Sequence, residues 1–479
     1  MREEHESEGS ENLFFLPAPY GQLSAHAYGN ARVFQAGRDL GVFYSSPPSF
    51  TLTTAPFIRD YLPEHPSWTA QPSQLLRAHF EIVPFSGREV EEEYLRKWRN
   101  SRDSKRILIV HGPGGCGKSR LVSHVAKQWM DDGWSAYMAY AQDEKDGSLS
   151  PAGFSSTEAP GLLVVADYAD RWSPDSLLAL LRAVIKVDIP VRVILVARTI
   201  ETWLEIVRYK LIRDFYLNVE DISLAPLGED PASRAGLFMQ PRDKFAEMLN
   251  VFNPEFILPP PSLETDFRYE QVLTIHMAAL AKVVAHQQRD VPPQHPEDLT
   301  IFLLYRERDY WRALGSRRES PMNTTPEVMA QVVYAATLTG PLEYAEGKGA
   351  LQCAEIESLA HVRQLIRDHG LCYPSGSPSI VLEPLYPDKL GEDFIALTTP
   401  GHRSSSFRPG PWAIGALYRL LLYEDSDGIR PPWVSSAQAV LAEVAERWPH
   451  MKPFVNVKPA GRHHLRLELL HIIGTRLSS

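Results

Sequence analysis

The sequence predicts an α/β core, a parallel sheet with helices on both faces, followed by mainly helical regions. Three observations carry this. Strands that are apolar throughout, among them Ile107-Leu108-Ile109-Val110, Leu162-Leu163-Val164-Val165-Ala166 and Val191–Ala197, alternate with amphipathic helical stretches, the pattern of strands buried on both faces. Strands largely stop after about Leu227. With 479 residues, 44% of them hydrophobic, the chain is long enough for about three domains with substantial cores.

In chain order, residues 1–24 are acidic and then rich in small residues, and are expected to be unfolded. Residues 25–44 form a short β-prone island, and the Pro/Ser/Thr-rich stretch 45–74 reads as a linker. From residue 75 the pattern becomes regular. Glu89–Trp98 suits a charged surface helix, and the strand at Ile107–Val110 leads through a glycine-rich turn into a helix from Lys118 to about Met130, which Gly133 is placed to end. A strand at Trp134–Tyr140 follows, and the strand Leu162–Ala166 ends at Asp167. A helix then starts at Pro174, with proline at its first turn. Val191–Ala197 ends at Arg198, and a further amphipathic helix follows. The core is thus expected over 75–227, helices over 228–320, helices with one strand, Ile380-Val381-Leu382, over 321–400, and helix again over 401–479.

Composition excludes several classes. The formal net charge is −10, which disfavours a whole-surface nucleic-acid binder, so nucleic acid is not expected as a partner. No run approaches the roughly 18 apolar residues of a membrane span, so no membrane partner is expected. The acidic start, Met1-Arg2-Glu3-Glu4, is unlike a signal peptide, and a cytoplasmic location is expected. Cys116, Cys353 and Cys372 are too scattered for a disulfide framework or a zinc cluster.

The strongest motif is Gly112-Pro113-Gly114-Gly115-Cys116-Gly117-Lys118-Ser119, a full GxxxxGK[ST] match placed between an apolar strand and an amphipathic helix. Glycines let backbone N–H groups converge on phosphate oxygens, and the helix N-terminus favours the anion. Lys118 would neutralise the β- and γ-phosphates and the Ser119 hydroxyl would bind Mg²⁺. Cys116 reads as a small residue at a variable position, with a reactive thiol as the alternative. Asp167, at the tip of a buried strand, is expected to hold Mg²⁺ with Ser119. Asp170 is a candidate for orienting an attacking water, with a solvated strand end as the alternative. Arg198, at the carboxyl edge of the sheet, would contact the γ-phosphate. Arg171 reads as structural. The absence of an Asn-Lys-x-Asp sequence after the loop favours adenine over guanine.

These residues together resemble the STAND class of P-loop NTPases, the signalling ATPases that include NACHT and NB-ARC proteins, and bacterial members above all. Val83-Pro84-Phe85-Ser86-Gly87-Arg88-Glu89 is similar to the family's "F-x-GRE" segment, which implies that Val83, Phe85 and Arg88, with Arg120 beyond the loop, belong to the nucleotide site. Arg198 falls on the sensor arginine. Leu224-Ala225-Pro226-Leu227, followed by Phe238, is similar to the junction into the family's helical domain. Leu385–Phe394 resembles the end of its winged-helix domain. The resemblance implies a P-loop NTPase core, a helical domain over 228–320 and a winged-helix domain over 321–400. Function follows in the same terms: a switch in which ATP/ADP exchange and slow hydrolysis control self-association, with an unknown trigger or effector. Two departures stand out. Glu270-Gln271-Val272-Leu273 replaces the Gly-x-Pro that usually touches adenine, and Tyr386-Pro387-Asp388 lacks the histidine that holds ADP in eukaryotic relatives.

Val33-Phe34-Gln35-Ala36-Gly37 before Leu40–Tyr44 has the ingredients of a β-arch that stacks as cross-β, and looks like the amyloid signalling motifs of some bacterial STAND proteins. Two rival functions remain open at this level. One is a constitutive AAA-type ATPase, turning over near the enzyme median of roughly 10 per second rather than below about one per minute. The other is a winged-helix transcription regulator, betrayed by salt-dependent DNA binding.

Overall fold

The computed structural model describes residues 16–18, 21–23, 31–36, 39–44, 50–53, 68–141, 159–200, 202–318, 321–356, 361–375, 379–424, 430–431 and 433–455. At the front, β1 (Leu16–Ala18) and β2 (Gly21–Leu23) pair antiparallel, which corrects the expectation of an unfolded stretch for those residues. The rest of 1–24 lies outside the described residues. Strands β3 (Ala31–Ala36) and β4 (Asp39–Tyr44) also pair antiparallel, with Val33 opposite Val42 and Phe34 opposite Gly41. The cross-β reading of residues 25–44 remains an expectation beside this pairing.

The stretch 45–74 is more than a linker. Strand β5 (Phe50–Thr53) adds to the edge of the main sheet, antiparallel to the strand Ser135–Ala141, and buries Phe50. Gln71 and Ser73 donate to the fully buried carboxylate of Glu307, which also accepts from Tyr373 Oη. Proline-rich composition hid these anchors, because a linker reading weighs Pro and Ser and not the alternation of Phe50 and Leu52 with threonine.

The core follows the predicted alternation: α1 (Glu89–Arg99), β6 (Lys105–His111), α2 (Lys118–Asp131), β7 (Ser135–Ala141), β8 (Leu162–Ala166), α3 (Pro174–Ile185), β9 (Val191–Ala197), α4 (Thr202–Phe215) and β10 (Val219–Ser223). Sequence reasoning did not single out β10, whose polar alternation Val-Glu-Asp-Ile-Ser suits the edge of the sheet that it forms. The strand order is β10-β6-β9-β8-β7-β5, with all pairs parallel except β5 with β7. Both β8 and β9 are buried along their whole length, as continuous apolar runs require. Local signals set the helix ends. Ser173 Oγ accepts the Ser176 N–H to cap α3. Gly133, at φ +88°, ends α2, where Trp134 N–H closes back on Trp129 O. One apolar core packs α3 and α4 on one sheet face, and another packs α1 and α2 on the opposite face.

Beyond β10 come α5 (Arg234–Met248), α6 (Val272–Gln288), α7 (Pro296–Gly315), α8 (Pro326–Thr339), β11 (Leu342–Glu343), α9 (Tyr344–Cys353), α10 (Val362–Cys372), β12 (Ile380–Leu382), α11 (Asp388–Thr398), α12 (Ala413–Leu422), α13 (Trp433–Arg447) and the short α14 (Lys452–Val455). Strands β11 and β12 pair antiparallel. One continuous apolar core runs through these helices and takes in Leu75 and Leu76. Among the described residues no helix is long and apolar enough to cross a membrane.

Candidate functional site

The turn between β6 and α2 is the GxxxxGK[ST] loop, with Lys118 opening the helix. Close approach and positive φ call for its glycines. At Gly112, φ +150°, a Cβ would stand 2.8 Å from Leu224 O, and at Gly114 it would stand 3.2 Å from Arg198 Cζ. Lys118 Nζ donates to Gly112 O at 2.7 Å and Pro113 O at 3.0 Å, and burial holds its ammonium below the ordinary lysine value. Cys116 is fully buried with Leu108 and Val110, so its side chain is a core residue.

Several predicted residues brace the loop. Arg88 Nη2 donates to Cys116 O and to Ala225 O, both at 2.7 Å, tying the loop to the segment after β10. Arg120 Nη2 donates to Val83 O at 2.6 Å and its Nη1 to Ala78 O at 3.1 Å, which fastens the segment before α1 onto α2. The Phe85 ring stacks on His124 of α2, with ring centroids 4.3 Å apart. From the other side Leu273 N–H, in the first turn of α6, donates to Gly115 O at 3.2 Å. The Gln271-Val272-Leu273 segment therefore lies against the loop without the proline.

The sheet topology sets the other half of the site. Strand β9 lies between β6 and β8, so Arg198 at its tip sits between the loop and the acidic strand end. Asp167 remains in reach: Ser119 Oγ donates to its Oδ2 at 2.8 Å. Burial pushes the Asp167 carboxyl up, opposed by the Ser119 hydroxyl and the Tyr168 N–H. Asp170 Oδ2 accepts the backbone N–H of Arg198 at 2.8 Å, while its Oδ1 is buried without a hydrogen bond. The carboxylate thus fixes the end of β9.

Sequence reasoning missed what holds Arg198. Its Nη2 meets Asp388 Oδ2 at 3.0 Å and Glu392 Oε1 at 2.5 Å, both from α11, and its Nη1 meets Glu443 Oε2 of α13 at 3.0 Å. Arg171 Nη2 joins Glu443 at 2.7 Å, and Tyr168 Oη donates to Asp388 Oδ2 at 2.6 Å. These contacts hold the Arg198 guanidinium above the ordinary arginine value despite its burial. The available signal was the Asp388/Glu392 spacing, which puts two carboxylates on one helix face.

This arrangement fits a nucleoside triphosphate with a hard divalent cation. The loop leaves no room for a Cβ at Gly112 and holds Gly115 and Gly117 at positive φ, a buried ammonium stands over it, and a hydroxyl and a carboxylate converge as oxygen donors of the kind Mg²⁺ takes.

A family model described as Nephrocystin 3, N-terminal, matches residues 89–159. No curated protein matches the chain. Among solved structures, an origin recognition complex from Drosophila bound to DNA aligns over 61% of this chain and 83% of its own, at 15% identity and a TM-score of 0.27. The ORC1 protein of Aeropyrum pernix in complex with DNA aligns over 68% and 95%, at 14% identity and a TM-score of 0.33. Cdc6p from Pyrobaculum aerophilum aligns over 83% and 99%, at 11% identity and a TM-score of 0.28. Two of these are DNA complexes, which runs against the expectation that nucleic acid is no partner, and that expectation is not carried further. Likenesses at these TM-scores carry no argument about what this chain contacts. The parallel sheet, the loop and the helices on both faces make the core an α/β fold of P-loop NTPase type. The matches do not reach the finer STAND class.

Proposed function

We propose that the chain is a nucleotide-operated signalling switch of the STAND kind, in which ATP and ADP favour different arrangements of the helical region against the α/β core. The observation that carries this reading is Arg198, whose guanidinium stands beside the phosphate loop, 3.2 Å from where a Cβ on Gly114 would lie, and pairs with α11 and α13. Lys118 and the loop N–H groups would bind the phosphates, and Ser119 and Asp167 would hold Mg²⁺, which supplies charge neutralisation between the β- and γ-phosphates. Arg198 would then meet the terminal phosphate, so that the difference between ATP and ADP reaches the helices. Moving such an equilibrium from 1:99 to 99:1 takes about 5.5 kcal/mol of differential affinity, within reach of a few charge-assisted contacts to one phosphate.

In this reading residues 228–320 form a helical domain and 321–400 a winged-helix domain. The helix–strand–helix–helix–strand order of α8, β11, α9, α10 and β12, with the strands antiparallel, supports the latter. Self-association of the ATP form and slow hydrolysis are parts of the same proposal. The test is Arg198→Ala studied by small-angle scattering with ATP and with ADP. The unaltered chain should change shape between the two nucleotides, and the variant should bind ATP yet give one profile with both. A variant that responds like its parent would end the sensor role.

A further inference from the structure

Five side chains meet where α11 and α13 close on the sheet edge. Arg198 follows the end of β9 and Arg171 lies in the short 3-10 turn Ala169–Arg171 beyond β8; Asp388, Glu392 and Glu443 come from the helices. The Arg198 side chain is 15% exposed and that of Glu392 5%. Asp388 is gripped further by Tyr168 Oη, and Tyr168 directly follows Asp167 in the chain. On the far side Arg447 Nη2 holds Glu392 Oε2 and Asp393 Oδ1, both at 2.8 Å. Lys389 adds a longer contact to Asp393. Four carboxylates are thus balanced by three arginines and a lysine in a largely buried cluster, and that balance depends on Arg198.

We infer that Asp388, Glu392 and Glu443 are an internal substitute for the terminal phosphate: they occupy Arg198 and so hold α11 and α13 closed on the α/β core. This rests on the nucleotide reading above and names the device that regulates it. The guanidinium already stands beside the loop, with Cζ 3.2 Å from where a Cβ on Gly114 would lie, so a terminal phosphate and the carboxylates compete for one fork of donors. Once the phosphate takes that fork, three carboxylates, Glu392 buried and Asp388 and Glu443 partly buried, are left to Arg171 and Arg447, and like charges in a poorly solvated cluster drive the helices off. A diphosphate, one phosphate shorter, leaves the latch made. The latch also answers the missing histidine: the Tyr386-Pro387-Asp388 segment contributes Asp388, and what it binds is the sensor arginine.

The test is a calorimetric titration of the full chain and of the Asp388→Asn, Glu392→Gln, Glu443→Gln triple variant with Mg-ATP and Mg-ADP. With the internal competitor neutralised, ATP should bind at least tenfold tighter while ADP stays within about twofold. An unchanged ratio of ATP to ADP affinity, or equal weakening of both, would overturn the latch and leave the nucleotide reading standing. Failure of the unaltered chain to bind either nucleotide would overturn that reading, and the latch with it. Should the triple variant not fold, Glu392→Gln alone is titrated against the same criterion, since its carboxylate receives both Arg198 and Arg447.

Discussion

Replacing Arg88 by alanine should loosen the phosphate loop without removing any side chain proposed to meet phosphate. Arg88 is 3% exposed, and its Nη2 alone serves two carbonyls, the buried Cys116 O and the partly buried Ala225 O, at 2.7 Å each. Hydrogen bonds from a charged donor contribute roughly 1.5–3 kcal/mol apiece. Because one nitrogen is shared between both acceptors, the lower end applies and the loss is about 3 kcal/mol. A domain of this kind loses roughly 2–4 °C per kcal/mol, so the melting transition of the α/β core should fall by roughly 6–12 °C. Thermal unfolding without nucleotide measures this, and a parallel titration should show weaker ATP binding because the Cys116 carbonyl sets the loop's path. Arg88→Lys restores the charge but not the fork and should recover only part of the loss. An Arg88→Ala protein that melts within ~2 °C of its parent and binds ATP equally well would refute the bracing role.

Two further perturbations probe the neighbouring contacts. Gly228→Ala would put a Cβ 2.4 Å from Tyr269 O and 2.9 Å from Glu270 O, both backbone atoms. Overpacking of this kind costs roughly 1–3 kcal/mol, and denaturant unfolding should show it together with weaker nucleotide binding, because the displaced segment leads into Leu273 at the loop; an unchanged midpoint would contradict the packing. Burial, reinforced by Glu392 and Asp388 and opposed by Arg171 and Arg198, pushes the Glu443 carboxyl up to about 7. A carboxyl raised in the folded state takes up a proton on folding, so its contribution to stability is full below its ordinary value of 4.5 and lost as pH rises through about 7. The difference in melting temperature between the unaltered chain and Glu443→Gln should therefore vary between about pH 5 and pH 8, and a flat difference would contradict the assignment.

Much of the core was legible because its signals are local. Continuous apolar runs specify strands buried on both faces, Ser173-Pro174 and Gly133 mark helix ends, and the loop motif fixes a strand–turn–helix by itself. The less visible parts depend on distant partners. Phe50 and Leu52 become a strand only because β7 offers an edge, and Gln71 and Ser73 are ordered by Glu307, more than 200 positions away. Sequence places Arg198 at a strand tip, but not that β9 intervenes between β6 and β8, which is what brings it onto the loop. Asp170 looked equally suited to orienting water or to ending a strand; the structure gives it the N–H of Arg198. The acidic partners of Arg198 come from two helices separated by α12, and no local pattern joins Glu443 to Asp388.

Every role proposed for the switch depends on the loop around Lys118 gripping a nucleoside polyphosphate. The most direct measurement is calorimetric titration of the full chain with Mg-ATP and Mg-ADP, with release and identification of any nucleotide carried through purification. Saturable heat or stoichiometric bound nucleotide, lost in Lys118→Ala, is the predicted result. A well-folded chain that neither carries nucleotide nor gives heat with ATP or ADP, or a Lys118→Ala variant that binds as its parent does, would contradict the account.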